Sequence, residues 1–474
     1  MPPTLRLPAS LVTTGWFLLC LCRQAEAQDS VRSGAQDSVR SGAQDSVPSE
    51  AQDSVPSPEV KGPSFWRAAT GVAAVNGVTW FYNWHVQNWD WANVGTRSWW
   101  ANLRGGFTWD DDAFGANQAA HPYHGSLYFN AARGSGYDFW GSAPYVAAGS
   151  LSWELFTEKV RPSLNDLINT TLGGIALGEI SYRMSSFLTP TRGATASRRM
   201  GAFVLSPISR AQSLVHGRGP GTPLPPPESR AALLAVGQRR GAGDSPAGLN
   251  GTKPFVGLAL HYGSPFDQHV NRPYDAFEFR LHLSPNEHVV LTHASVSGLL
   301  VRRHLSRSSQ SQLLLGLFQH YDYDDLPLAK TSSQSLSGAL LYRQTSAMRT
   351  QVDLGLHAEV VPLGAVSSEH KLVRRRDYDF GPGIGARFTG ALRRDGRELL
   401  RLDSRTVWIH SLYASRADHV TSTARLSAAV PVKGTIGVGG DVGLTLRHSS
   451  YRDQPEVRRQ LTQFRAYLIW SPSW

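Results

Sequence analysis

The spacing of apolar residues changes once along this chain, and the change divides it. Beyond residue 252 apolar side chains recur at every second position. Phe277, Phe279, Leu281 and Leu283 alternate with Glu278, Arg280 and His282, and Val352, Leu354, Leu356, Ala358 and Val360 alternate with Asp353, Gly355, His357 and Glu359. A period of two makes each segment a strand with one apolar and one ionisable face. Nine other stretches follow the rule less strictly: 256–262, 290–301, 313–323, 335–343, 381–389, 405–413, 422–430, 436–447 and 461–470. That makes eleven strands, and single-chain membrane barrels favour even numbers, so roughly twelve are expected. Alternation alone also fits a soluble sandwich with one wet face. Charges of both signs at mid-strand favour a barrel with a polar lumen.

Before residue 252 the texture is different. Seven of the fourteen tryptophans fall between Trp66 and Trp100, and residues 68–89 contain no Asp, Glu, Lys or Arg. Asn76, Asn83, Gln87, Asn88 and Gly71 lower the hydrophobicity of this stretch, which reads as a buried or interfacial helix rather than a spanning one. Residues 145–160 and 164–188 also read as helices, separated by Arg161-Pro162. The expected architecture is α+β: a helical domain over 63–210, a Gly/Pro/Arg-rich linker or loop over 211–252, and an antiparallel transmembrane β-barrel over 253–474. The chain closes on Phe464-x-Ala466-x-Leu468-x-Trp470-x-Pro472-x-Trp474. This run resembles the terminal strand of outer-membrane barrels, which implies recognition by the barrel-assembly machinery. Pro472 departs from the pattern because proline cannot donate to a strand ladder.

The N-terminus sets the compartment. Arg6, an apolar stretch from Leu11 to Cys22 and Ala25-Glu26-Ala27 have the form of a signal peptide cleaved after residue 27. From Ala27 an octapeptide repeats four times, AQDSVRSG twice, then AQDSVPSE and AQDSVPSP, and residues 28–62 read as a disordered tether with too little apolar surface to fold. Both cysteines, Cys20 and Cys22, lie in the signal peptide, so the mature chain has no thiol chemistry. The formal charge of +10 would suit nucleic acid, but export removes that partner and leaves outer-membrane lipid or lipopolysaccharide.

Chemistry-bearing residues concentrate between Asp110 and Glu179. Here stand Asp110-Asp111-Asp112, His121-Pro-Tyr-His124-Gly125, Tyr128-Phe129-Asn130-Ala-Ala-Arg133, Trp153-Glu154, Glu158, and Ser163-x-Asn165-Asp166-x-x-Asn169-Thr170-Thr171-x-Gly173-Gly174-x-x-x-Gly178-Glu179. Their order and spacing over about residues 102–207 resemble an uncharacterised bacterial family known only as a domain of unknown function, DUF3943. The resemblance implies an envelope setting and no particular reaction. The same run is more distantly similar to VanZ-like membrane proteins, which implies a compact helical bundle with polar residues meeting inside.

Two readings of the run stand side by side. In the chemical one, His121, His124, Glu154, Glu158 and Asp166 converge from separate elements to bind a divalent metal or to hydrolyse an envelope lipid or cell-wall substrate. The spacing matches no diagnostic metal motif, and no cofactor is indicated. In the structural reading, Ser163 caps a helix with Asp166 completing a capping box. Gly174 and Gly178, beside Gly173, then allow close helix contact. Asn165 and Asn169 bond a neighbouring helix, and Asn130 and Arg133 belong to the same framework. On the barrel, Glu278, Arg280, His282, Asp353, His357 and Glu359 either line a water-filled pore or pair with one another and with a helical plug. The expected protein is thus an outer-membrane barrel with a periplasmic or lumen-docked helical domain and a structural or transport role; the alternative is an envelope hydrolase.

Overall fold

A computed structural model describes residues 62–189, 194–216, 230–243, 252–285, 289–326, 329–346, 348–370, 376–413 and 415–471. The signal peptide, the octapeptide repeats, Pro472 and Trp474 lie outside the described residues. The N-terminal part holds α1 (Phe65–Phe81), α2 (Thr96–Gly105), α3 (His121–Gly134), α4 (Phe139–Phe156), α5 (Leu164–Leu188), α6 (Ala196–Leu205) and α7 (Pro207–His216). Twelve strands follow: β1 (Arg230–Gly243), β2 (Thr252–Tyr262), β3 (Phe277–Leu283), β4 (Leu291–Arg307), β5 (Ser311–Leu326) and β6 (Ala329–Thr345), then β7 (Thr350–Ser367), β8 (Tyr378–Arg394), β9 (Arg397–His410), β10 (Ala417–Lys433), β11 (Ile436–Tyr451) and β12 (Val457–Trp470).

Each strand pairs antiparallel with its sequence neighbour, and β1 closes on β12, with Leu234 opposite both Trp470 and Leu258. Closure leaves no unpaired edge, the condition for crossing a bilayer with strands. The first strand corrects the expected boundary, because β1 lies inside the stretch read as linker. Its sequence, RAALLAVGQRRGAG, is too rich in alanine and glycine to show alternation. The glycines have a use: a Cβ on Gly237 would stand 2.1 Å from the Ala466 carbonyl oxygen of β12.

Side chains that meet across the barrel fix which face of each strand is the lumen. Arg401 of β9 reaches Glu278 of β3 at 2.7 Å, and Arg280 of β3 reaches Asp403 of β9 at 2.8 Å. These strands are six apart in a ring of twelve, so the ion pairs span its diameter. Arg465 of β12 lies 2.8 Å from His282, while Arg387 and Arg405 converge on Glu359 and Asp322. At one end the loop between β2 and β3 folds in, placing Phe266 and Val270 against Leu299, Leu314, Phe318, Ala339 and Leu341. Strand alternation then puts Leu336, Leu340, Leu354, Leu356, Val360, Ile384, Val438, Val442 and Leu468 outside, where all are exposed. An apolar band around a charged interior is the pattern of a membrane barrel, the reverse of a soluble one.

The same parity places the helices. Phe277 and Phe279 flank Glu278, and Tyr321 and Tyr323 flank Asp322, so these aromatics point outward, yet Phe277, Tyr321 and Tyr323 are fully buried. Helical residues cover them. Phe114 stacks on Tyr323 at 5.4 Å, Tyr321 donates to the Gln118 carbonyl at 2.7 Å, and Gln319 donates to the Leu172 carbonyl at 2.9 Å. Trp109 packs on Phe380, and Phe139 stacks on Tyr274 of the β2–β3 loop. The helical domain therefore lies on the outer wall of the barrel, across β2 to β8. It is not docked in the lumen, which strand side chains and the β2–β3 loop already occupy.

Candidate functional site

The helical layer is organised around α5, none of whose residues is exposed. Its start follows from Ser163, in extended backbone, whose hydroxyl accepts the Asp166 amide at 3.3 Å. The other half of a capping box is absent. Glu154, arriving from α4, accepts the Ser163 amide at 2.8 Å in place of the Asp166 carboxylate. α3 then crosses α5 with almost no side chain between them. A Cβ on Gly125 would stand 1.9 Å from the Thr170 carbonyl oxygen, one on Gly174 2.5 Å from Gly125, and one on Gly178 2.6 Å from the Phe129 Cβ. Gly173 meets Pro122 in the same way.

This crossing brings some of the candidate residues together and separates others. His121 Nδ1 lies 3.1 Å from the Thr170 hydroxyl and Nε2 3.8 Å from Asp166 Oδ1. Asn165 bridges the cap: its Oδ1 accepts from the Ser163 hydroxyl and the Asp110 amide, and its Nδ2 donates to Asp166 at 2.9 Å. His124 faces another way. Its Nε2 is 3.2 Å from the Tyr128 hydroxyl, which donates to Asn76, and its ring meets Trp153 edge-on. Glu158 accepts from the Trp153 indole at 2.7 Å. Burial, with carboxylates around them, pushes Glu154 and Asp166 well above the usual carboxylate range and Glu158 up to about 8. Burial beside His121 holds the His124 ring down to about 3. The direction of these shifts favours the uncharged forms of the carboxyls and of the His124 ring, which suit hydrogen bonding. Among the described residues no three His, Cys, Asp or Glu side chains are grouped to hold a metal ion.

A second buried group ties the helices to the wall. Glu179 of α5, with 0% exposure, accepts from Arg183 Nε at 2.7 Å and Arg133 Nη2 at 3.1 Å. Arg183 continues to Asp275 at 3.0 Å and to the Pro273 carbonyl at 2.6 Å, both in the β2–β3 loop. Asn130 donates to the Ser126 carbonyl and the Ser181 hydroxyl and accepts from Ser206. Asn169, fully buried, has no hydrogen-bond partner on either side-chain atom.

All six lumen candidates point inward. Glu278 and Arg280 make the cross-barrel pairs described above, His282 meets Arg465 and Glu359 meets Arg387 and Arg405 of the next two strands; Asp353 bridges Arg343 and Arg393, and His357 meets the Ser337 hydroxyl at 3.1 Å. A remaining cavity of about 20 Å³ beside His282, His293, Asp324, Arg425 and Arg465 has room for a water or two. Sequence reading missed Arg183 and Asp275, which no local pattern links. It also misses Arg401 and Asp403, although Arg401-x-Asp403-x-Arg405 alternates visibly: the expected strand, 405–413, starts eight residues after β9 does.

Residues 106–208 match the family described as "Domain of unknown function (DUF3943)". No curated protein matches the chain. Among solved structures the chain is similar to KdgM porin, with 9% identity and a TM-score of 0.24 over 50% of this chain and 99% of that one. It is similar to NanC porin, with 8% identity and a TM-score of 0.26 over 49% and 98%, respectively. OmpT, an outer-membrane protein of Vibrio cholerae, gives 6% identity and a TM-score of 0.21 over 52% and 97%. Similarity at this level says nothing of what the present barrel carries. The likeness to VanZ-like proteins finds no support in these matches.

Proposed function

We propose that this chain, with its DUF3943 segment beside a twelve-stranded barrel, has a structural role in the outer membrane: a closed, non-conducting barrel that holds a helical layer on its wall. The supporting observation is the pair of ion pairs from β3 to β9, Glu278–Arg401 and Arg280–Asp403, which bridge opposite sides of the lumen. Each guanidinium there has a carboxylate partner on the opposite wall, so the two pairs cross the space a pore would need. In this reading the signal peptide exports the chain, the barrel-assembly machinery inserts it through its last strand, and its surroundings are outer-membrane lipid and lipopolysaccharide. The hydrolase alternative has only the approach of His121 to Asp166 at 3.8 Å in its favour; His124 faces Tyr128 and Trp153, and neither histidine pairs with Glu154.

The test is electrical. Folded protein, identified by a shift in gel mobility between unboiled and boiled samples, is reconstituted into planar bilayers. No conductance steps above the bare membrane are expected. Discrete openings from the wild-type chain would sink the closed-barrel reading and point to transport instead.

A further inference from the structure

Two helices of the layer turn uncharged, largely apolar faces outward. On α1 the exposed residues are Phe65, Trp66, Thr70, Ala73, Ala74, Gly77, Val78 and Phe81, without a single charge; Trp66 is 75% and Val78 71% exposed. On α4 they are Trp140, Pro144, Ala148, Leu151 and Phe156, again uncharged. Apart from Thr70, their more polar residues lie beneath: Asn76 of α1 and Ser142, Ser150 and Glu154 of α4 are buried, beside Val72, Val75, Val146 and Trp153. A helix at a protein surface facing water carries charged and polar residues on its outward face. Exposed apolar surface on this scale, rather than scattered single residues, marks a contact.

What covers it follows from where it sits. The layer lies against the outward faces of β2 to β8, and the strands that carry it also carry bare apolar positions on the same face: Leu315 and Leu317 on β5, Leu336 and Leu340 on β6, Val360 on β7 and Ile384 on β8. The apolar helix faces therefore continue the lipid-facing band of the barrel. The exposed basic residues of the layer lie on other elements, on α2 (Arg97, Arg104), before α5 (Lys159, Arg161) and on α6 (Arg198, Arg199). No described helix is long and apolar enough to cross a membrane. Each of α1 and α4 offers one face, as a laterally docked helix does.

We infer that the helical layer is a lipid-facing flank of the barrel, with the exposed faces of α1 and α4 in contact with the acyl chains of the bilayer rather than free in the periplasm. The inference rests on the barrel lying in a membrane, as proposed above, and its test separates the two. In a Cys20→Ser, Cys22→Ser background, single cysteines are introduced at Val78→Cys (α1), Leu151→Cys (α4), Val438→Cys (outer face of β11) and Ser309→Cys (the β4–β5 turn). Each variant is spin-labelled and reconstituted in phosphatidylethanolamine–phosphatidylglycerol bilayers. Collision rates with oxygen, which partitions into lipid, and with a water-soluble nickel chelate are then compared. Labels at 78 and 151 are expected to match 438, with oxygen collisions dominant, and to oppose 309. If 78 and 151 behave like 309 while 438 reports lipid, the flank is in water and this inference is overturned with the barrel intact. If 438 also reports water, both readings fall.

Discussion

The buried charge group at the helix–barrel junction allows a stability prediction of definite size. Glu179 is one carboxylate serving two guanidiniums, with Arg183 Nε at 2.7 Å and Arg133 at 2.8 Å, in a site where none of the three side chains is more than 9% exposed. Glu179→Gln keeps the shape but removes the charge. Arg183 retains Asp275, whereas Arg133 is left with a hydrogen bond to the Tyr137 carbonyl and the face of Tyr182. Breaking a buried pair by removing one partner costs about 3–5 kcal/mol, because the remaining charge stays desolvated. The expected loss is in that range, confined to the helical layer. Seven tryptophans between Trp66 and Trp100 make intrinsic fluorescence a reporter of that layer, read through urea titration in detergent or bilayers. The double variant Arg133→Met, Glu179→Met should lose less than Glu179→Gln, since it removes the stranded charge together with its partner. A Glu179→Gln loss below about 1 kcal/mol, the size of an exposed pair, would refute the reasoning.

The glycines of the α3–α5 crossing separate steric need from mere helix propensity. Gly125→Leu drives a Cβ to within 1.9 Å of backbone and should exceed the roughly 1–3 kcal/mol of ordinary overpacking, whereas Gly77→Ala, with nothing within 4 Å, should gain roughly 0.5–1 kcal/mol; shifts in urea midpoint measure both. The carboxyls predict a pH dependence. Glu158 is raised to about 8 in the fold, so its stabilising effect is complete below its unfolded value near 4.5 and is lost as pH rises through 8. The urea midpoint of the helical layer should therefore increase from pH 8 to pH 5, with Glu158→Gln flattening the rise; a midpoint that falls on acidification would contradict the assignment.

The strands were largely legible because a period of two survives wherever one face is apolar and the other ionisable. Glu278, Arg280, His282, Asp353, His357 and Glu359 could be assigned to one face without any structure. Their partners could not, since pairing across a diameter joins β3 to β9 through no local signal. β1 escaped because alanine and glycine carry no amphipathic pattern. In the helical part, the run from Ser163 to Gly178 declares a capped helix with a small-residue face; α5 begins where that run does and continues to Leu188, the end expected for the helix over 164–188. The capping partner was wrong by one element: Glu154, not Asp166, closes on the Ser163 amide. That His121, and not His124, approaches Asp166 has no local signal either, since it depends on how α3 packs on α5.

The position of the helical layer was the least legible feature, yet its trace is in the strands. Along the outward face of β5 the residues run Leu313, Leu315, Leu317, then Gln319, Tyr321, Tyr323, and along β6 they run Leu340, Leu336, then Gln334, Ser332. Each outward face changes partway from aliphatic residues to residues with a hydrogen-bonding tip. Lipid offers no partner for such a tip, so on a strand facing only acyl chains the change would be costly. A helix docked there offers backbone carbonyls, as Leu172 does to Gln319 and Gln118 does to Tyr321. On β5 and β6 this turn from aliphatic to polar coincides with the part of the wall that helical residues cover. The helices that cover it turn uncharged faces outward, so the lipid boundary inferred above would run around strands and helices together.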